Sequence, residues 1–230
     1  DTGEPGIPGV RVELLDNAGN VLSTTNTDAS GNYLFDGLVP GDYAIRFVPL
    51  TGYFVSPQDQ GSDTLDSDAN PDTASLTYGQ TIVTTLAPNE HDMTWDAGLY
   101  TPVNIGNLVW YDRDNDGQYE PNGNDGIAGN SDDEAGIPNI RVELYRTTDG
   151  GTTRIPAVDV NGNPNWFTFT DANGNYNFGN LPPGDYVVVI PTPPAAYPIS
   201  SLPAVTDTND NGQDNDDNGI QASSGGATQS

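Results

Sequence analysis

The sequence predicts an all-β protein made of two tandem β-sandwich units, and three observations lead to this fold class. Asp, Asn, Gly and Pro account for 97 of the 230 residues, and these residue types disfavour helices and favour turns. The apolar residues are mostly Val, Ile, Leu, Tyr and Phe in short alternating runs, which is typical of half-buried strands. Two blocks of sequence also occur twice, which indicates two copies of one unit.

The charge of the chain excludes several classes of protein. There are 33 acidic and six basic side chains, all six of them arginine, for a net charge of −27. This surface would repel nucleic acid and anionic lipid, and no apolar run approaches the ~20 residues of a membrane helix. We therefore expect neither nucleic-acid binding nor membrane insertion. High charge with 34% hydrophobic residues is also typical of disorder, but the regular patterning favours a fold.

The repeat defines the two units. Residues 27–43 recur as residues 170–186, with 12 of 17 positions identical. Upstream, residues 6–14 recur as residues 136–144, at an offset of 130 instead of 143, so the second copy has 13 extra residues between the blocks. A turn signal at Asp149-Gly150-Gly151 predicts that these residues lengthen a hairpin loop.

Alternating apolar residues predict three strands in the repeated part of each copy. In the first copy the alternating residues are Val10, Val12 and Leu14, then Tyr33 and Phe35, then Tyr43, Ile45 and Phe47. In the second copy they are Ile140, Val142 and Leu144, then Tyr176 and Phe178, then Tyr186, Val188 and Ile190. Asp-Ala-x-Gly-Asn and Pro-Gly-Asp elements between them supply the turns, and this spacing indicates sandwiches.

The copies differ at their ends. Residues 103–112 predict a strand that opens the second copy and has no counterpart before Asp1, and residues 80–100 predict strands that have no counterpart after Ser230. We therefore expect a first domain over residues 1–100 that lacks its first strand, and a second over residues 103–230 that lacks its last strands. Either a longer tandem array or a neighbouring molecule would complete them.

The connection between the two domains consists of Thr101 and Pro102. Proline fixes its own φ and restricts the preceding residue to extended conformations. The sequence therefore predicts a stiff joint.

Residues 112–120 predict a calcium loop. Side-chain oxygens stand at loop positions 1, 3, 5 and 9, with Gly117 at position 6 for the sharp turn and a main-chain carbonyl at position 7. The expected ligands are Asp112, Asp114, Asp116, Gln118 through its carbonyl, and Glu120. Position 12, which is a glutamate in such loops, is Gly123, and Glu134 is the expected substitute.

Further acidic residues predict additional sites. Asp125, Asp132 and Asp133 would hold a second ion, and in the first unit Asp1 and Glu4 correspond to positions 9 and 12 of a loop cut at the start of the chain. A separate Asp-rich constellation occurs in both units. Its candidate ligands are Asp63, Asp66, Asp68 and Asp72, and then Asp207, Asn209, Asn211, Asp214 and Asp216.

Each acidic turn also has a simpler interpretation as a solvated loop in which Asp makes an Asx turn. For Asp28 and Asp171 we favour this interpretation. For the loop that begins at Asp112 we favour metal binding, because two carboxylates ~4 Å apart repel by roughly 4 kcal/mol at an effective dielectric constant of ~20. Hard oxygen donors without cysteine favour calcium over zinc or copper, and a need for six to eight ligands favours it over magnesium.

The sequence offers little for catalysis. His91 is the only histidine and lies in a polar Pro-Asn-Glu-His-Asp turn, and the absence of lysine excludes Schiff bases and phosphate-loop lysines. Trp95, Trp110 and Trp166 lie in strand-like runs and are expected in the core. We therefore predict that this chain is not an enzyme.

Taken together, the motifs IGNLVWYDRDNDGQ, E-x-GIPxxRVEL, TDAxGNYxFxxLxPGDY and WDAGLY resemble those of the B-type repeats of serine-aspartate-repeat (SdrD B-like) surface proteins, which are related to collagen-adhesin B (Cna-B-like) domains. The resemblance implies an extracellular, seven-stranded, transthyretin-like or Ig-like sandwich that is stabilised by several Ca²⁺ ions and strung in tandem. It implies the ligands Asp112, Asp114, Asp116, Gln118, Glu120 and Glu134. The residues inserted before Glu134 depart from the family pattern, and a Lys–Asn isopeptide crosslink is impossible without lysine.

The predicted function is a non-catalytic, calcium-stabilised repeat of an extracellular or cell-surface protein, acting as a rigid stalk or a filament-forming module. Its partners would be neighbouring repeats and, in a filament, other copies. One alternative is an adhesive module that recognises glycans or a host or matrix protein through Tyr53, Tyr78 and Tyr119. Another is an accessory domain of a larger secreted enzyme.

Overall fold

The computed structural model describes residues 4–62 and 66–196, together with the main chain of two short strands, Ile220–Gln221 and Thr228–Gln229. The chain divides into two compact units, Asp1–Pro102 and Val103–Ser230. Every regular element in the described part is a β-strand, and all pairings between named strands are antiparallel. The predicted all-β class is confirmed, whereas the count of seven strands remains a prediction.

In the part of the first unit that the structure describes, there are two sheets. Its strands are β1 (Arg11–Asp16), β2 (Val21–Asn26), β3 (Gly41–Val48), β4 (Phe54–Val55), β5 (Thr84–Leu86) and β6 (Leu99–Tyr100). One sheet has the order β2-β1-β3-β5, and the other pairs β4 with β6.

The described residues of the second unit also form two sheets. Its strands are β7 (Val103–Leu108), β8 (Arg141–Thr147), β9 (Ile155–Pro156), β10 (Phe167–Phe169), β11 (Asn175–Leu181), β12 (Asp185–Ile190), β13 (Ile220–Gln221) and β14 (Thr228–Gln229). The larger sheet has the order β10-β8-β12-β14-β13, with β9 also paired to β8, and the smaller one pairs β7 with β11.

The core of each unit follows the alternation of its strands. In β1, Val12 and Leu14 are almost fully buried, and they face Phe47 and Ile45 across the ladder with β3. The second core is built around Val142, Leu144, Ala157, Phe178 and Leu181, with Ile105 of β7 packed against it. Burying a large apolar side chain of this kind stabilises a fold by roughly 1.5–3 kcal/mol.

The opposite face of β1 and β3 holds a buried glutamate that pairs with two more exposed arginines. Glu13, which is 4% exposed, lies opposite Arg46 and accepts its Nε–H at 2.6 Å, and a guanidinium nitrogen of Arg11 lies 2.7 Å from its other oxygen. The Arg-Val-Glu motif of the second unit uses its glutamate in a related way. Glu143 accepts hydrogen bonds from Arg141 at 2.8 Å and from the Tyr145 hydroxyl at 2.6 Å.

One turn sequence, Asp-x-x-Gly-Asn, begins at Asp16, Asp28, Asp159 and Asp171. In each of these turns the Asp Oδ1 accepts the main-chain N–H groups two and four residues later, at 2.8–2.9 Å. The glycines have φ between +76° and +84°, where other residues are strained. The Asp28 and Asp171 carboxylates therefore form Asx turns, as favoured from the sequence.

The extra residues of the second unit form the predicted hairpin. Strands β8 and β9 pair through Tyr145 with Pro156 and Arg146 with Ile155. In the connecting turn, Thr147 Oγ1 accepts the Gly151 N–H at 2.8 Å.

The expected strand at Tyr33 and Phe35 is not assigned as a strand in the structure. Residues 32–38 are irregular, although the corresponding segment of the second unit forms β11. The difference follows from pairing, because β11 is hydrogen-bonded to β7 and no described strand is paired with residues 32–38. A strand needs a partner for its main-chain groups.

Candidate metal centre

The candidate centre is the long connection between β7 and β8. Its two ends are held together, because the Tyr111 N–H donates to the Ala135 carbonyl at 2.9 Å and Trp110 forms a β-bridge with Gly136. The acidic residues between these ends therefore lie in a closed loop at one end of the smaller sheet.

Asp112, Asp114 and Asp116 converge in this loop. Each offers a carboxylate oxygen, and these oxygens lie within 4.8 Å of one another. The oxygens around a single Ca²⁺ at 2.3–2.6 Å lie no more than about 5 Å apart. This convergence therefore fits a common cation.

The local sequence causes the convergence. Asn115 and Gly117 adopt positive φ angles of 62° and 79°, which Asn and Gly tolerate better than other residues. These bends direct the Asn115 N–H to Asp112 Oδ1 at 2.6 Å and the Gly117 N–H to Asp112 Oδ2 at 3.0 Å. The loop thus wraps around the carboxylate of Asp112.

Gln118 and Glu120 follow in the same loop, and Glu120 is not part of the group formed by Asp112, Asp114 and Asp116. The Gln118 N–H donates to Asp116 Oδ1 at 2.8 Å and its Nε2 donates to Asp116 Oδ2 at 3.0 Å. Desolvation raises the pKa of Glu120, and the negative charges of Asp116, Asp114, Glu134 and Asp112 raise it further. The Glu120 carboxylate therefore lies within the electrostatic field of the whole cluster.

Glu134 closes the loop from the other side. It is 4% exposed, and its carboxylate accepts the main-chain N–H of Arg113 at 2.8 Å and of Glu120 at 3.0 Å. Burial raises the pKa of Glu134, and Asp112 and Asp114 also raise it, whereas the two N–H donors lower it. Glu134 thus lies beside the loop, but its carboxylate is not part of the group formed by Asp112, Asp114 and Asp116, and its role as the substitute for position 12 remains a prediction.

The residues inserted before Glu134 reach back to the loop. Asn124 Nδ2 donates to Asp114 Oδ2 at 2.7 Å. Asp125 accepts the Ile127 N–H at 2.8 Å, and Asp133 accepts the Gly129 N–H at 2.6 Å. The other oxygen of Asp133 is buried and has no hydrogen-bond partner among the described residues.

Any side chain at Gly123 would overlap Asp132, since an added Cβ would lie 2.5 Å from the Asp132 carboxyl carbon. Asp132 therefore packs directly against the main chain at position 12 of the loop. Among the described residues, Asp125, Asp132 and Asp133 do not form a three-residue cluster of their own, so the second ion remains a prediction.

The candidates of the first unit are placed differently. Glu4 is exposed, in contrast to the buried Glu134. Asp66 accepts the Gly61 N–H at 2.7 Å, Asp68 accepts the Asp96 N–H at 2.8 Å, and Asp72 accepts the Ala74 N–H at 2.9 Å. The part of this unit that the structure describes does not bring these carboxylates together into a metal-sized group.

Seven candidate ligands lie outside the described residues, so the structure does not test them. These are Asp1, Asp63, Asp207, Asn209, Asn211, Asp214 and Asp216.

Three contacts in this region were not expected from the sequence. Trp110 and Tyr119 make an edge-to-face contact with ring centroids 5.8 Å apart. Arg113, the cation of the loop, lies over the Tyr111 ring at 5.2 Å, and Asn124 binds Asp114 as described. Only the position of Arg113 inside the acidic run was a visible signal for these contacts.

Two of the tyrosines considered for adhesion contact other residues of the chain, and the third is half-buried. The Tyr78 hydroxyl accepts the Val55 N–H at 3.1 Å, Tyr119 packs on Trp110, and Tyr53 is half-buried. His91 is exposed. No helix long and apolar enough to cross a bilayer occurs in the part of the chain that the structure describes.

Comparison with known sequences links the chain to one family. The sequence profile of the SdrD B-like domain matches residues 1–99. Serine-aspartate repeat-containing protein F of Staphylococcus epidermidis is 36% identical over 192 residues, which cover 82% of this chain and 10% of that protein. Serine-aspartate repeat-containing protein E of Staphylococcus aureus strain Mu50 is 33% identical over 220 residues, which cover 94% of this chain and 16% of that protein. The chain thus spans about a tenth to a sixth of the length of these relatives.

Similarity to solved structures is much weaker. The shaft pilin SpaA from Lactobacillus rhamnosus GG is 10% identical, with 84% of this chain and 81% of the pilin covered and a TM-score of 0.29. The minor pilin GBS52 of Streptococcus agalactiae is 15% identical, with 80% and 70% covered and a TM-score of 0.26. Superpositions of this quality do not establish a shared fold.

The similarity to this family rests on the sequence motifs and on the sequence relatives. The motifs that resemble B-type repeats extend over both units, and the two serine-aspartate relatives match most of the chain. The resemblance is therefore confirmed: residues 1–99 match the SdrD B-like domain directly, and the two serine-aspartate relatives are similar to most of the chain.

Proposed function

We propose that this chain is a non-catalytic structural segment of a cell-surface protein, in which Ca²⁺ bound by the Asp112 loop stabilises a repeat of a stalk or filament. The single observation that carries the proposal is the convergence of the Asp112, Asp114 and Asp116 carboxylates within 4.8 Å. Gln118, Glu120 and Glu134 are the further ligands expected from the sequence, and Glu134 holds the loop through the main-chain N–H groups of Arg113 and Glu120.

Electrostatics supports a cation at this place. Three carboxylates at such distances repel one another by several kcal/mol at an effective dielectric constant of ~20. Desolvation raises the pKa of Glu120, and these negative charges raise it further. The three converging residues offer only oxygen ligands, and Gln118, Glu120 and Glu134 are proposed as further donors. Both properties favour Ca²⁺.

The ion would stabilise the folded state and would take no part in a chemical reaction. A ligand that binds only the folded state at 100 times its dissociation constant adds ~2.7 kcal/mol, a large share of the stability of a small domain. When bound, Ca²⁺ would neutralise the loop, and Glu134 would hold the two ends of the loop through its contacts with Arg113 and Glu120.

The composition and the relatives support the rest of the proposal. The chain has no lysine, and its single histidine is exposed, which favours a role without catalysis. The matched relatives are named for serine-aspartate repeats and are several times longer than this chain. We therefore propose a surface location, with neighbouring repeats of an array, and other copies in a filament, as the partners.

Thermal unfolding followed by circular dichroism tests the calcium site. With excess Ca²⁺ in place of chelator, we expect the midpoint of the second unit to rise by roughly 10 °C or more. Asp114→Asn should abolish most of this rise. It is the suitable variant because Asp114 is exposed and its carboxylate accepts the Asn124 amide, which an asparagine oxygen can also accept.

Asp159→Asn is the matched control. Asp159 belongs to the same unit, but its carboxylate accepts the Asn161 and Asn163 N–H groups of its own Asx turn. This variant should therefore keep the full calcium response. A wild-type midpoint that does not respond to Ca²⁺, or an equal response in Asp114→Asn, would rule out the proposed site.

A further inference from the structure

Strand β10 lies at the edge of the larger sheet in the second unit. Among the described strands it pairs only with β8, and the ladder is antiparallel. The Leu144 N–H donates to the Trp166 carbonyl at 2.8 Å, so Trp166 and, two residues later, Thr168 direct their main-chain groups toward β8. The N–H and carbonyl groups of Phe167 and Phe169 therefore point away from β8, and they make no hydrogen bond to a described residue.

The side chains of the same two phenylalanines are exposed. Phe167 is 44% and Phe169 is 52% exposed, and their ring centroids lie 6.2 Å apart. Trp166 packs on Phe167 at 4.9 Å. The Arg141 guanidinium lies 4.6 Å from the centre of the Phe167 ring, and its Nε donates to Glu143 at 2.8 Å. The exposed rings are thus held in place before any partner binds, which lowers the cost of binding.

The corresponding edge of the first unit is polar. Strand β2 takes the place of β10 there, with Thr24 opposite Glu13 and Asn26 opposite Arg11. The phenylalanines of β10 lie opposite the matching glutamate and arginine of β8. Thr24 and Asn26 are exposed and offer little apolar surface to a further strand. An exposed apolar edge, in contrast, is a template for pairing with another chain.

The other strands of the repeat join other edges wherever the structure describes them. In the second unit β7 pairs with β11, and in the first unit β5 pairs with β3 and β6 with β4. The edge at β10 therefore belongs to the arrangement of the repeat itself and does not depend on how far the sequence extends at either end.

Charge favours a second copy of the chain as the occupant of this edge. The chain has a net charge of −27, but residues 160–170 contain no charged side chain. The nearest charges on this face, Arg141 and Glu143, are paired with each other. A second copy can therefore approach through this strand without placing carboxylates opposite one another, which would destabilise a strand pair.

The strand is also complementary to itself. In an antiparallel pair with a twofold axis at Thr168, Phe167 of each copy lies opposite Phe169 of the other. Each of these pairs can exchange both main-chain hydrogen bonds, and the groups required are those that point away from β8. The phenylalanine side chains of both copies then share one face of the joined sheet, where aromatic cross-strand pairs are stabilising.

We propose that β10 binds the β10 strand of a second copy of this chain, in an antiparallel pair centred on Thr168 that joins the larger sheets of two second units. The proposal rests on the proposed function in one respect, the role of other copies as partners, and it does not require the calcium site.

The length of β10 determines how strong the pair can be. Three residues on each side form a smaller contact than the ~1,200 Å² or more that stable interfaces bury, so a single pair is weak. Several repeats on two neighbouring chains would strengthen the association, because the first contact raises the effective concentration for the next.

Disulfide trapping in the complete 230-residue chain tests both the pairing and its register. The chain contains no cysteine, so Thr168→Cys introduces a single thiol. On the twofold axis residue 168 faces its own copy in a non-hydrogen-bonded pair, with Cα atoms about 4.5 Å apart, which a disulfide can bridge. Oxidised glutathione is the oxidant, and the linked dimer is measured on non-reducing gels.

Thr25→Cys is the matched control. Thr25 lies opposite Val12 in β2 as Thr168 lies opposite Val142 in β10, and both threonines are half-buried. We expect the dimer of Thr168→Cys to form about tenfold faster or more than that of Thr25→Cys, because pairing raises the effective concentration of the thiols. Equal rates for the two variants would overturn the proposal.

A second variant removes the phenylalanines. Phe167→Thr with Phe169→Asn, added to Thr168→Cys, places the side chains of the first unit on β10 and should reduce trapping to the level of Thr25→Cys. Undiminished trapping would overturn the proposal. Its folding is checked by circular dichroism and by the rise of its thermal midpoint with Ca²⁺. A calcium response without preferential trapping would overturn the pairing alone, whereas trapping without a calcium response would support the pairing and overturn only the calcium site.

Discussion

Glu134 accepts a hydrogen bond from the main-chain N–H of Glu120, which lies 14 residues earlier in the chain, at 3.0 Å. Its other oxygen accepts the N–H of Arg113 at 2.8 Å. A single buried carboxylate therefore ties the beginning and the end of the acidic loop together. This contact gives Glu134 a role in the fold whether or not an ion is bound.

Replacing Glu134 by glutamine should destabilise the second unit even in chelator. Glutamine offers one acceptor oxygen and turns an amide donor toward an N–H group, so one buried donor loses its partner. We expect a loss of about 1–3 kcal/mol in the free energy of unfolding, measured by urea denaturation. Glu4→Gln, at the corresponding but exposed position, should change this free energy little. Equal effects of the two variants would contradict the prediction.

Two glycines of the same turn type should differ in their tolerance of alanine. Gly162 and Gly174 have φ of 76° and 84°, so alanine costs roughly 1–2 kcal/mol of backbone strain at either position. A Cβ at Gly162 meets nothing within 4 Å, whereas at Gly174 it would lie 2.4 Å from the Val109 carbonyl oxygen. Urea denaturation should show a clearly larger loss for Gly174→Ala. Similar losses for the two variants would mean that the chain at Val109 shifts to make room for the Cβ at no cost in the free energy of unfolding.

The Asx turn at Asp171 should contribute to acid sensitivity. Hydrogen bonds from the Asn175 and Asn173 N–H groups lower the pKa of Asp171. Its contribution is therefore present above the unfolded pKa of about 3.9 and is lost as the pH falls through the lower folded value. Asp171→Asn keeps an acceptor oxygen without the charge, so it should reduce the loss of stability on acidification.

Asp171→Ala removes the acceptor and should lower the thermal midpoint at neutral pH as well. Asp185→Asn, on the exposed start of β12, serves as the control in both measurements. An acid profile of Asp171→Asn that matches the wild type would contradict the prediction.

Tyr33 should make the first unit sensitive to alkali. Burial raises the pKa of Tyr33, and the charges of Asp96, Asp68 and Asp92 raise it further. The folded state keeps the proton while an unfolded tyrosine ionises near pH 10, so stability is complete below about pH 10 and declines as the pH rises further. Unfolding free energies between pH 8 and 11 measure this decline.

Tyr33→Phe should flatten this alkaline decline. It should also cost about 1 kcal/mol at pH 8, because the hydroxyl donates to the Trp95 carbonyl at 2.7 Å. Tyr111→Phe, at a 37% exposed residue, should leave the decline unchanged. A decline of equal slope in Tyr33→Phe would show that other groups cause it.

Local patterns were sufficient to predict much of the fold. The alternation at Val12 and Leu14 predicts β1, and the turn signal at Gly150 predicts the added hairpin, because both depend on neighbouring residues. The irregular form of residues 32–38 could not be predicted from their own sequence, which resembles that of β11. Their conformation depends on a strand that pairs with them, and pairing is a long-range property.

The candidate sites also combine features set by the local sequence with features set by long-range contacts. Asp112, Asp114 and Asp116 converge because Asn115 and Gly117 bend the chain between them, and the spacing of the motif contains this information. Asp68 was expected as a ligand of a separate site, but its carboxylate accepts the N–H of Asp96, 28 residues away. Nothing near Asp68 in the sequence indicates that contact, which forms only when the first unit folds.

The β8–β9 hairpin offers a position for engineering. Its tip is tied by contacts within the turn itself, from Gly151 to Thr147 and from Thr153 to Asp149, and Gly150 has open space around it. The entropy cost of a longer flexible loop grows only slowly with its length. Foreign peptides inserted after Gly150 would therefore be displayed on the second unit with little effect on its core, which makes the hairpin a natural scaffold for epitope presentation.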